Sequence, residues 1–411
     1  MAHTPSEKIS SGNWHAVTAG FLGWTLDAFD FFVVIFLYDI LAAHFQVPKS
    51  QILWAVSATL FFRPVGAVIF GLLADRYGRR VPLMANVIFF SVVGFATGFT
   101  DAYWVFFVLR CLYGIGMGGE WGVGASLAME NAPPRWRGLL SGILQSGYSI
   151  GYLLAAVAAR VILPNPDLSW RWMFWIGGVP ALLALYIRSS VPESEAWKQH
   201  RLPDFTSIAR MVAGQWKRFL YLVLLMTLFM FLSHGTQDLY PDFLKTEFKV
   251  PQRTVADLAI LYNIGAVLGA VIFGHLSERI GRRRSIIAAL ALSFSVLPFW
   301  AFGGNVLILA CGAFIIQMGV QGAWGIVPAH LNEMAPDSVR GLMPGLAYQM
   351  GILFASPTNN IQHALQQTYG YSWAIFGFEF VVILALGLVT WLGTENKGKS
   401  LTRPAVAAVD A

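Results

Sequence analysis

Charged residues are scarce in this sequence of 411 residues. Asp, Glu, Lys and Arg make up 12% of the chain, whereas an average soluble domain carries about 25% charged residues. Hydrophobic residues make up 56%, which is more apolar surface than the core of a soluble protein of this length would bury. The composition therefore excludes an ordinary soluble protein and predicts one whose surface lies in lipid.

Cysteine is also scarce. Cys111 and Cys311 lie in apolar stretches far apart along the chain, so the sequence contains neither a disulfide framework nor a cysteine-based metal site. It also lacks a metal-ligand cluster, a phosphate-binding loop and a nucleophile triad, and its glycine-rich stretches suit close helix packing. We therefore expect no metal, no cofactor apart from a proton gradient, and no enzymatic activity.

The apolar residues are grouped into long runs. Charged or Pro/Gly-rich breaks separate runs of about 18 to 26 residues, the length that an α-helix needs to cross about 30 Å of hydrocarbon. The fold class that follows is an all-α polytopic membrane protein with twelve transmembrane helices. No cleavage site follows the first run, so we expect it to remain in the mature protein. The predicted segments are 17–43, 52–74, 81–100, 103–129, 138–161, 172–191, 218–243, 255–277, 285–302, 306–329, 341–366 and 373–393.

Lysine and arginine are distributed unevenly over the loops. Most of them, including Arg79, Arg137 and Arg282, fall in loops on one side of the predicted membrane. Because basic loops stay in the cytoplasm, we predict a protein of the cell inner (plasma) membrane with both termini cytoplasmic. The net charge of +6 is explained by this asymmetry and by contact with lipid headgroups, without nucleic acid as a partner.

The sequence contains an internal repeat. GAVIFGLLADRYGRR (66–80) aligns with GAVIFGHLSERIGRR (269–283) at an offset of 203 residues, and the same offset aligns ENAPPRWRGLL (130–140) with EMAPDSVRGLM (333–343). One register over separate motifs indicates two related halves of six helices. We predict an N-terminal bundle at 1–191, a cytoplasmic linker at 192–217 and a C-terminal bundle at 218–411.

This repeat resembles the major facilitator superfamily, in which the loop between the second and third helices carries a motif similar to GLLADRYGRR. The resemblance covers nearly the whole chain. It implies two pseudo-symmetric six-helix bundles that rock around one central solute site. Because two halves enclose a site by themselves, we expect a monomer.

Charged residues recur at the cytoplasmic ends of the predicted helices in both halves. Carboxylates there can pair with arginines or with helix N-termini, and such contacts must break when the halves rock. We expect Glu130 to pair with Arg137, and Glu333 with Arg340. The residues assigned to gating are Asp75, Arg79, Glu130, Arg137, Glu278, Arg282, Glu333 and Arg340.

Arg63 is a charge inside a predicted helix that the repeat does not require, because it aligns with Ala266. A charge at bilayer depth is costly, so its presence indicates function. A guanidinium can hold a carboxylate solute through two parallel hydrogen bonds. The alternative is that Arg63 is the structural partner of a carboxylate of the protein.

Three carboxylates also lie inside predicted helices. Asp27 and Asp30 are three residues apart and share a helix face, and Glu120 aligns with Ala323. Adjacent carboxylates repel each other when both are charged, so one of them can hold and carry a proton near neutral pH. The alternatives are pairing with Arg63 and, for Glu120, a polar packing contact.

The polar stretch SHGTQDLY (233–240) follows a long uncharged run. Its spacing predicts His234, Gln237 and Asp238 on one helix face, directed into a central cavity. Histidine changes charge near neutral pH, and a carboxylate one turn away can exchange a proton with it. The alternative is a buried His–Asp pair with a structural role only.

The same stretch resembles the signature N-x-x-[S/T]-H-x-[S/T]-Q-D-x-x-x-T in the seventh helix of lactate and pyruvate permeases of the sialate:proton symporter branch. It departs from that signature at both ends, where Met230 replaces Asn and Asp242 replaces Thr. The resemblance implies proton-coupled transport of monocarboxylates, with His234, Gln237 and Arg63 near the solute. Two further polar residues assigned to the site are Asn263 and Gln349.

The predicted function is uptake of a small monocarboxylate, such as L-lactate or pyruvate, together with a proton. Arg63 would hold the carboxylate. One alternative is a proton symporter for a larger organic acid, such as a sialic, sugar or aromatic acid. Another is a carboxylate-sensing receptor of transporter-like fold, which the short predicted tails disfavour. The residues assigned to proton coupling are Asp27, Asp30, Glu120, His234 and Asp238.

Overall fold

The computed structural model describes residues 11–163, 165, 168–179, 181–199, 206, 210 and 213–401. Helices joined by short turns make up this part of the chain. Numbered in chain order, the α-helices are α1 (Ser11–Phe36), α2 (Tyr38–Phe45), α3 (Lys49–Tyr77), α4 (Arg80–Thr97), α5 (Tyr103–Asn131), α6 (Arg137–Ile162), α7 (Arg171–Ile176), α8 (Ala181–Ser190), α9 (Glu195–Gln199), α10 (Trp216–Gln237), α11 (Tyr240–Thr246), α12 (Gln252–Ile280), α13 (Arg282–Phe302), α14 (Val306–Trp324), α15 (Val327–Met334), α16 (Met343–Ala355), α17 (Thr358–Tyr369) and α18 (Tyr371–Leu392).

Each of the twelve predicted segments overlaps one helix or one pair of consecutive helices, which confirms the all-α polytopic fold class. Five predicted segments are each divided in two, as α1–α2, α7–α8, α10–α11, α14–α15 and α16–α17. Proline begins three of the second parts: Pro241 and Pro328 lie in the first turn of α11 and α15, and Pro357 precedes α17. Proline lacks a backbone donor and therefore starts a helix better than it continues one.

Ten of the described helices or helix pairs are long and apolar enough to cross a membrane. Two predicted segments are not among them: the fourth, now α5, which carries Arg110, Glu120 and Glu130 within its length, and the eleventh, now α16–α17. The predicted linker 192–217 lies partly outside the described residues.

Glycine allows very close contact between α3 and α5. A Cβ atom at Gly66 would overlap the carbonyl oxygen of Ile115, and one at Gly118 would overlap the carbonyl oxygen of Arg63. The second half uses the same contact at the repeat offset, because a Cβ atom at Gly269 would overlap the backbone of Met318 on α14. Small residues let membrane helices approach closely and pack through their backbones. The α3–α5 contact thereby fixes the depth and direction of Arg63.

Contacts between the halves run along three pairs of helices. The helix α6 packs against α12, where Gly142 faces the carbonyl of Ala270, and α16 packs against α3 and α5, where Gly345 faces Gly122. Among the polar residues discussed below, Arg63, Glu120, Asn263 and Gln349 lie on these five helices. The site therefore lies where the two halves meet.

We expect Gly118→Ala to destabilise the protein, because the added methyl group must separate α3 from α5. Overpacking of this kind costs about 1–3 kcal/mol. Gly387→Ala in α18 is the matched control, since a Cβ atom there meets no other atom within 4 Å. Thermal unfolding of the purified variants in detergent measures the difference; equal melting temperatures for the two variants would contradict the packing argument.

Candidate functional site

One end of the bundle, which we call the charged face, is formed by the ends of α3, α5, α12 and α15 and by the starts of α4, α6 and α13. A buried ion network lies there in the first half. The Arg79 guanidinium donates to Asp75 (2.8 Å) and, through two nitrogens, to Glu130 (2.9 and 3.2 Å). Arg340 of the second half also contacts Glu130 (3.5 Å). The backbone N–H groups of Gly341 and Leu342 donate to Asp75 (2.8 and 3.0 Å).

The second half contains the equivalent network at the repeat offset. Arg282 donates to Glu278 (3.0 Å) and, through two nitrogens, to Glu333 (2.9 and 3.0 Å). Arg137 of the first half donates to Glu333 (3.0 Å), and the N–H of Gly138 donates to Glu278. Each half thus supplies one arginine and backbone donors to the other half's network.

This exchange corrects the predicted pairing. The sequence predicts Glu130 with Arg137 and Glu333 with Arg340, within each half, whereas the structure pairs Glu130 with Arg340 and Glu333 with Arg137. The repeat aligns the residues but carries no information about which half an arginine reaches. The paired side chains are at most 2% exposed, so these contacts lie in the seam between the halves.

Two further carboxylates stabilise the charged face from the ends of the bundles. Glu193 accepts hydrogen bonds from the N–H groups of Arg79 and Arg80 at the start of α4 (2.9 and 3.1 Å), and Glu395 accepts one from Arg283 at the start of α13 (3.0 Å). A carboxylate is favoured at a helix N-terminus. Burial raises the pKa of Glu395, but backbone donors, including those of Arg283 and Lys397, outweigh this and lower its pKa.

We call the opposite end of the bundle the far face. The motif SHGTQDLY lies there, at the end of α10. His234 Nδ1 lies 3.2 Å from Asp238 Oδ2, and the two side chains are 36% and 34% exposed. Asn359 of α17 also donates to Asp238 Oδ2 (3.2 Å). The polar contacts between the halves described above lie at the charged face, so the structure is closed there while the His–Asp pair is accessible from the far face.

Gln237 does not share the direction of that pair. Its amide donates to Gln317 of α14 (2.8 Å), and Gln317 in turn donates to the hydroxyl of Thr236 (3.0 Å). Successive residues of an α-helix are rotated by about 100° around its axis. Gln237, one residue before Asp238, therefore points toward α14. The predicted common face therefore holds for His234 and Asp238 but not for Gln237.

Arg63 lies between the halves and is 3% exposed. Within the described part of the chain, its Nε and Nη2 have no hydrogen-bond partner. Its guanidinium carbon lies 5.8 Å from the ring centre of Tyr348, a residue of α16. Its charge acts on Asp27, Glu120 and His234. Arg63 is therefore a buried cation that sits among carboxylates without being fully paired by them.

The predicted proton-coupling carboxylates of the first half are all buried. Asp27 accepts a hydrogen bond from the hydroxyl of Tyr113 (2.9 Å), and Asp30 lies 3.6 Å from Arg110. The Glu120 carboxylate packs against Gly23, and both its oxygens lack a hydrogen-bond partner among the described residues. The sequence indicates Arg63 as the possible partner of Asp30, whereas the structure places Arg110 there.

The other two predicted site residues have different surroundings. Asn263 is 8% exposed and donates to the carbonyl of Ala259 in its own helix (2.8 Å). Gln349 is fully buried and donates across the halves to the carbonyl of Gly118 (3.3 Å), while its amide oxygen has no partner in the described residues. Gln349 thus lies beside the α3–α5 contact that holds Arg63, and Asn263 does not.

Aromatic rings from both halves lie beside Arg63. Tyr348 stacks on Trp121 with ring centres 4.1 Å apart, and its edges meet Trp24 (6.3 Å) and Trp324 (5.8 Å). Trp24 also stacks on Tyr148 (5.4 Å). We call these five rings the aromatic floor. Both halves contribute to it, and Tyr348 joins the two contributions.

Sequence reasoning did not assign the aromatic floor, Arg110, Gln317 or Asn359 to the site. The repeat held one signal for the floor, because Trp121 and Trp324 align at the offset of 203 and both contact Tyr348. Tyr348 itself aligns with Gln145, which accepts a hydrogen bond from Trp121 (3.2 Å). Arg110 and Gln317 gave no such signal, since their partners lie on other helices.

The arrangement is suited to holding an anion together with a proton. A buried guanidinium with unpaired donors can bind a carboxylate, while a His–Asp pair and buried carboxylates can exchange a proton with solvent. Among the described residues, no group of three His, Cys, Asp or Glu side chains is placed to hold a metal ion.

Comparison with known proteins gives the family. The model of the family "Sugar (and other) transporter" matches residues 12–204 and 235–395, which is well over half of the chain. The structure is similar to that of the major facilitator superfamily proton:xylose symporter XylE, with a TM-score of 0.80, 20% sequence identity, and coverage of 96% of this chain and 98% of that one.

Two curated relatives cover most of the chain. A carboxylic acid transporter protein homolog of Saccharomyces cerevisiae is 30% identical over 88% of this chain; the chain spans 63% of that protein's length. The sialic acid transporter NanX of Escherichia coli is 27% identical over 94% of this chain and 96% of its own length. The chain therefore belongs to the sugar (and other) transporter family and has the fold of the major facilitator superfamily symporter compared above, and it is a multi-pass membrane transporter rather than an enzyme.

Proposed function

We propose that this protein is a proton-coupled symporter that imports a small monocarboxylate, such as L-lactate or pyruvate, by alternating access. It would lie in the cell inner (plasma) membrane with both termini and the charged face in the cytoplasm, because the basic residues are concentrated at that face. The driving force would be the proton gradient, and one protein chain would suffice.

The observation that carries this proposal is the environment of Arg63. A guanidinium in the membrane interior is costly unless it is paired, and the described residues leave two of its nitrogens without an acceptor. A carboxylate solute would supply the missing acceptors and compensate the charge. The face of Tyr348 would limit the space beside it, which suits a small or planar acid.

Proton coupling would use two groups of titratable residues, one in each half. His234 and Asp238 of the second half are partly exposed, so a proton can enter with the solute. Asp27, Asp30 and Glu120 of the first half are buried, and the charge of Arg63 acts on two of them. When a solute carboxylate neutralises Arg63, these carboxylates lose a compensating cation and gain affinity for a proton.

Alternating access would depend on the charged face. The structure corresponds to the state that is open to the far face, because the two exchanged arginines, Arg137 and Arg340, tie the halves together at the opposite end. Opening to the cytoplasm would require both exchanged pairs to break and the aromatic floor to separate.

The proposed substrate class agrees with a relative described as a carboxylic acid transporter homolog. The similarity to a sialic acid transporter over nearly the full chain favours a second candidate, the same symport mechanism with a larger organic acid. A carboxylate group is common to both solutes, so Arg63 would have the same role.

Uptake of radiolabelled L-lactate into proteoliposomes with an inward proton gradient tests the function. We expect accumulation by the natural protein and, for Arg63→Ala, an apparent affinity lower by about 10- to 100-fold, the effect of losing charge-assisted hydrogen bonds. Arg160→Ala, at the exposed end of α6, is the control and should behave like the natural protein.

Sialic acid, benzoate, pyruvate and acetate serve as competitors in the same assay. Accumulation of a larger acid in place of lactate would support the second candidate. If none of these acids is transported or competes, the proposed substrate class is wrong.

Asp238→Asn should separate binding from coupling. The variant keeps the shape of Asp238 but removes its capacity to carry charge and proton, so gradient-driven accumulation should be lost while exchange of internal for external lactate continues. Asp242→Asn is the control, because Asp242 contacts Tyr371 (3.1 Å) rather than His234. Accumulation by Asp238→Asn at the natural level would exclude this residue from coupling.

Arg137→Gln should weaken closure of the charged face. A single cysteine at Ser141→Cys, in a chain with Cys111→Ser and Cys311→Ser, reports on it, because Ser141 is buried in the seam and contacts Gly325 and Ala329 of the other half (2.7 and 3.0 Å). We expect faster alkylation of this cysteine in the Arg137→Gln background. Arg171→Gln, at the far face beside Asp101, should leave the rate unchanged, and equal rates in both backgrounds would contradict the gating role.

A further inference from the structure

A second unpaired carboxylate lies on the other side of the motif helix α10. Glu379 belongs to α18, is fully buried, and has no hydrogen-bond partner for either oxygen among the described residues. It aligns with Ile176 at the repeat offset, so the construction of a six-helix half does not require an acid at this position. The roles proposed for Arg63 and for the His234–Asp238 pair do not explain why an acid is buried at position 379.

Glu379 contacts the backbone of the motif itself. A Cβ atom at Gly235 would overlap the Glu379 carboxylate, so the acid lies directly against the residue that follows His234. On the same side of α10, Gln362 of α17 donates to the carbonyl of Gly235 (2.9 Å). The helix α10 is therefore contacted by Glu379, Gln362 and Gln317, while His234 and Asp238 are partly exposed at the far face.

Around Gly235, hydrogen-bond acceptors outnumber the donors that could satisfy them. The amide oxygen of Gln362 is buried without a partner within the described structure, as are both oxygens of Glu379. A carboxylate offers acceptors only, whereas a carboxylic acid adds one O–H donor. A proton on Glu379 would supply the donor that this cluster of acceptors lacks.

Charge gives the same answer. Glu379 is fully buried, and no ion pair within the described part of the chain includes it. An ionised carboxylate in that position would cost several kcal/mol without a cation. The titratable or charged residues on the elements packed against α18 are Lys217, Arg218, Tyr221, His234 and Asp238 on or after α10, Tyr240, Asp242 and Lys245 on α11, Arg282, Arg283 and Arg284 on α13, and His363 and Tyr369 on α17.

We propose that Glu379 is a second proton-binding group of the transporter, neutral in the state that is open to the far face and acting on the His234–Asp238 pair through Gly235. It is a positioning residue, because it touches the motif backbone and not the solute. Loss of its proton would leave a charge against Gly235 and favour movement of α10 relative to α18. This proposal rests on the proposed function in so far as it assumes proton-coupled transport.

The first test is independent of transport. Infrared spectra of the purified protein at neutral pH should show the carbonyl stretch of a protonated carboxylic acid that Glu379→Gln removes and that Gln362→Leu shifts. Glu395→Gln is the matched control, because Glu395 accepts backbone hydrogen bonds as a carboxylate, and it should leave that band in place. Absence of a band assignable to Glu379 would overturn the proposal, whatever the solute. Should Glu379→Gln fail to fold, the shift in Gln362→Leu decides.

The second test uses proteoliposomes. Glu379→Gln should retain exchange of internal for external lactate, lose accumulation driven by the proton gradient, and lose the dependence of uptake rate on external pH, whereas Glu379→Asp should recover part of each. Accumulation and a pH profile equal to those of the natural protein would overturn the coupling role even if the infrared band is present. If the natural protein itself neither exchanges nor accumulates lactate, the proposed function fails, and the infrared result still stands on its own.

Discussion

The cost of placing a charge in hydrocarbon governs the polar architecture of this protein. Most buried charges compensate one another, as in the networks around Glu130 and Glu333 or the pair of Asp30 with Arg110. Asp30 and Arg110 form an ion pair (3.6 Å), although both also have buried atoms without a hydrogen-bond partner. Arg63, Glu120 and Glu379 have such atoms and, within the part of the chain that the structure describes, no ion pair. Breaking a compensated pair is costly, because it leaves a buried charge without a partner. Charges that are not compensated must obtain their compensation from a solute or a proton, and they mark where transport acts on the protein.

Because each half supplies an arginine to the other half's ion network, both halves are needed to close the charged face. Neither ion network at the charged face is complete within its own half, since Arg340 contacts Glu130 and Arg137 contacts Glu333. When the halves separate at that end, both networks lose an arginine together with backbone donors. The two networks therefore change together, which suits a transporter that must not be open at both ends.

Hydropathy and the repeat predicted the twelve segments and the alignment of the charged residues, because both depend on composition and on register along the chain. The four-residue spacing of His234 and Asp238 predicted their contact, because it is a local property of a helix. Partners on other helices could not be predicted in this way: the exchange of Arg137 and Arg340, the contact of Gln237 with Gln317, and the pairing of Asp30 with Arg110 all depend on how helices are arranged. The equivalence of Glu193 and Glu395 could not be predicted from the repeat, because the two residues are separated by one residue less than the repeat offset.

The aromatic floor gives the closed end a second kind of contact. Dissolved salt screens ion pairs when water reaches them, but it does not weaken the stacking of Tyr348 on Trp121. Aromatic contacts depend on the burial of apolar surface, so temperature and hydrophobic solutes change their strength differently from the strength of ion pairs. The two halves thus meet through ion pairs and through aromatic contacts, and dissolved salt would weaken only the ion pairs, once separation of the halves lets water reach them.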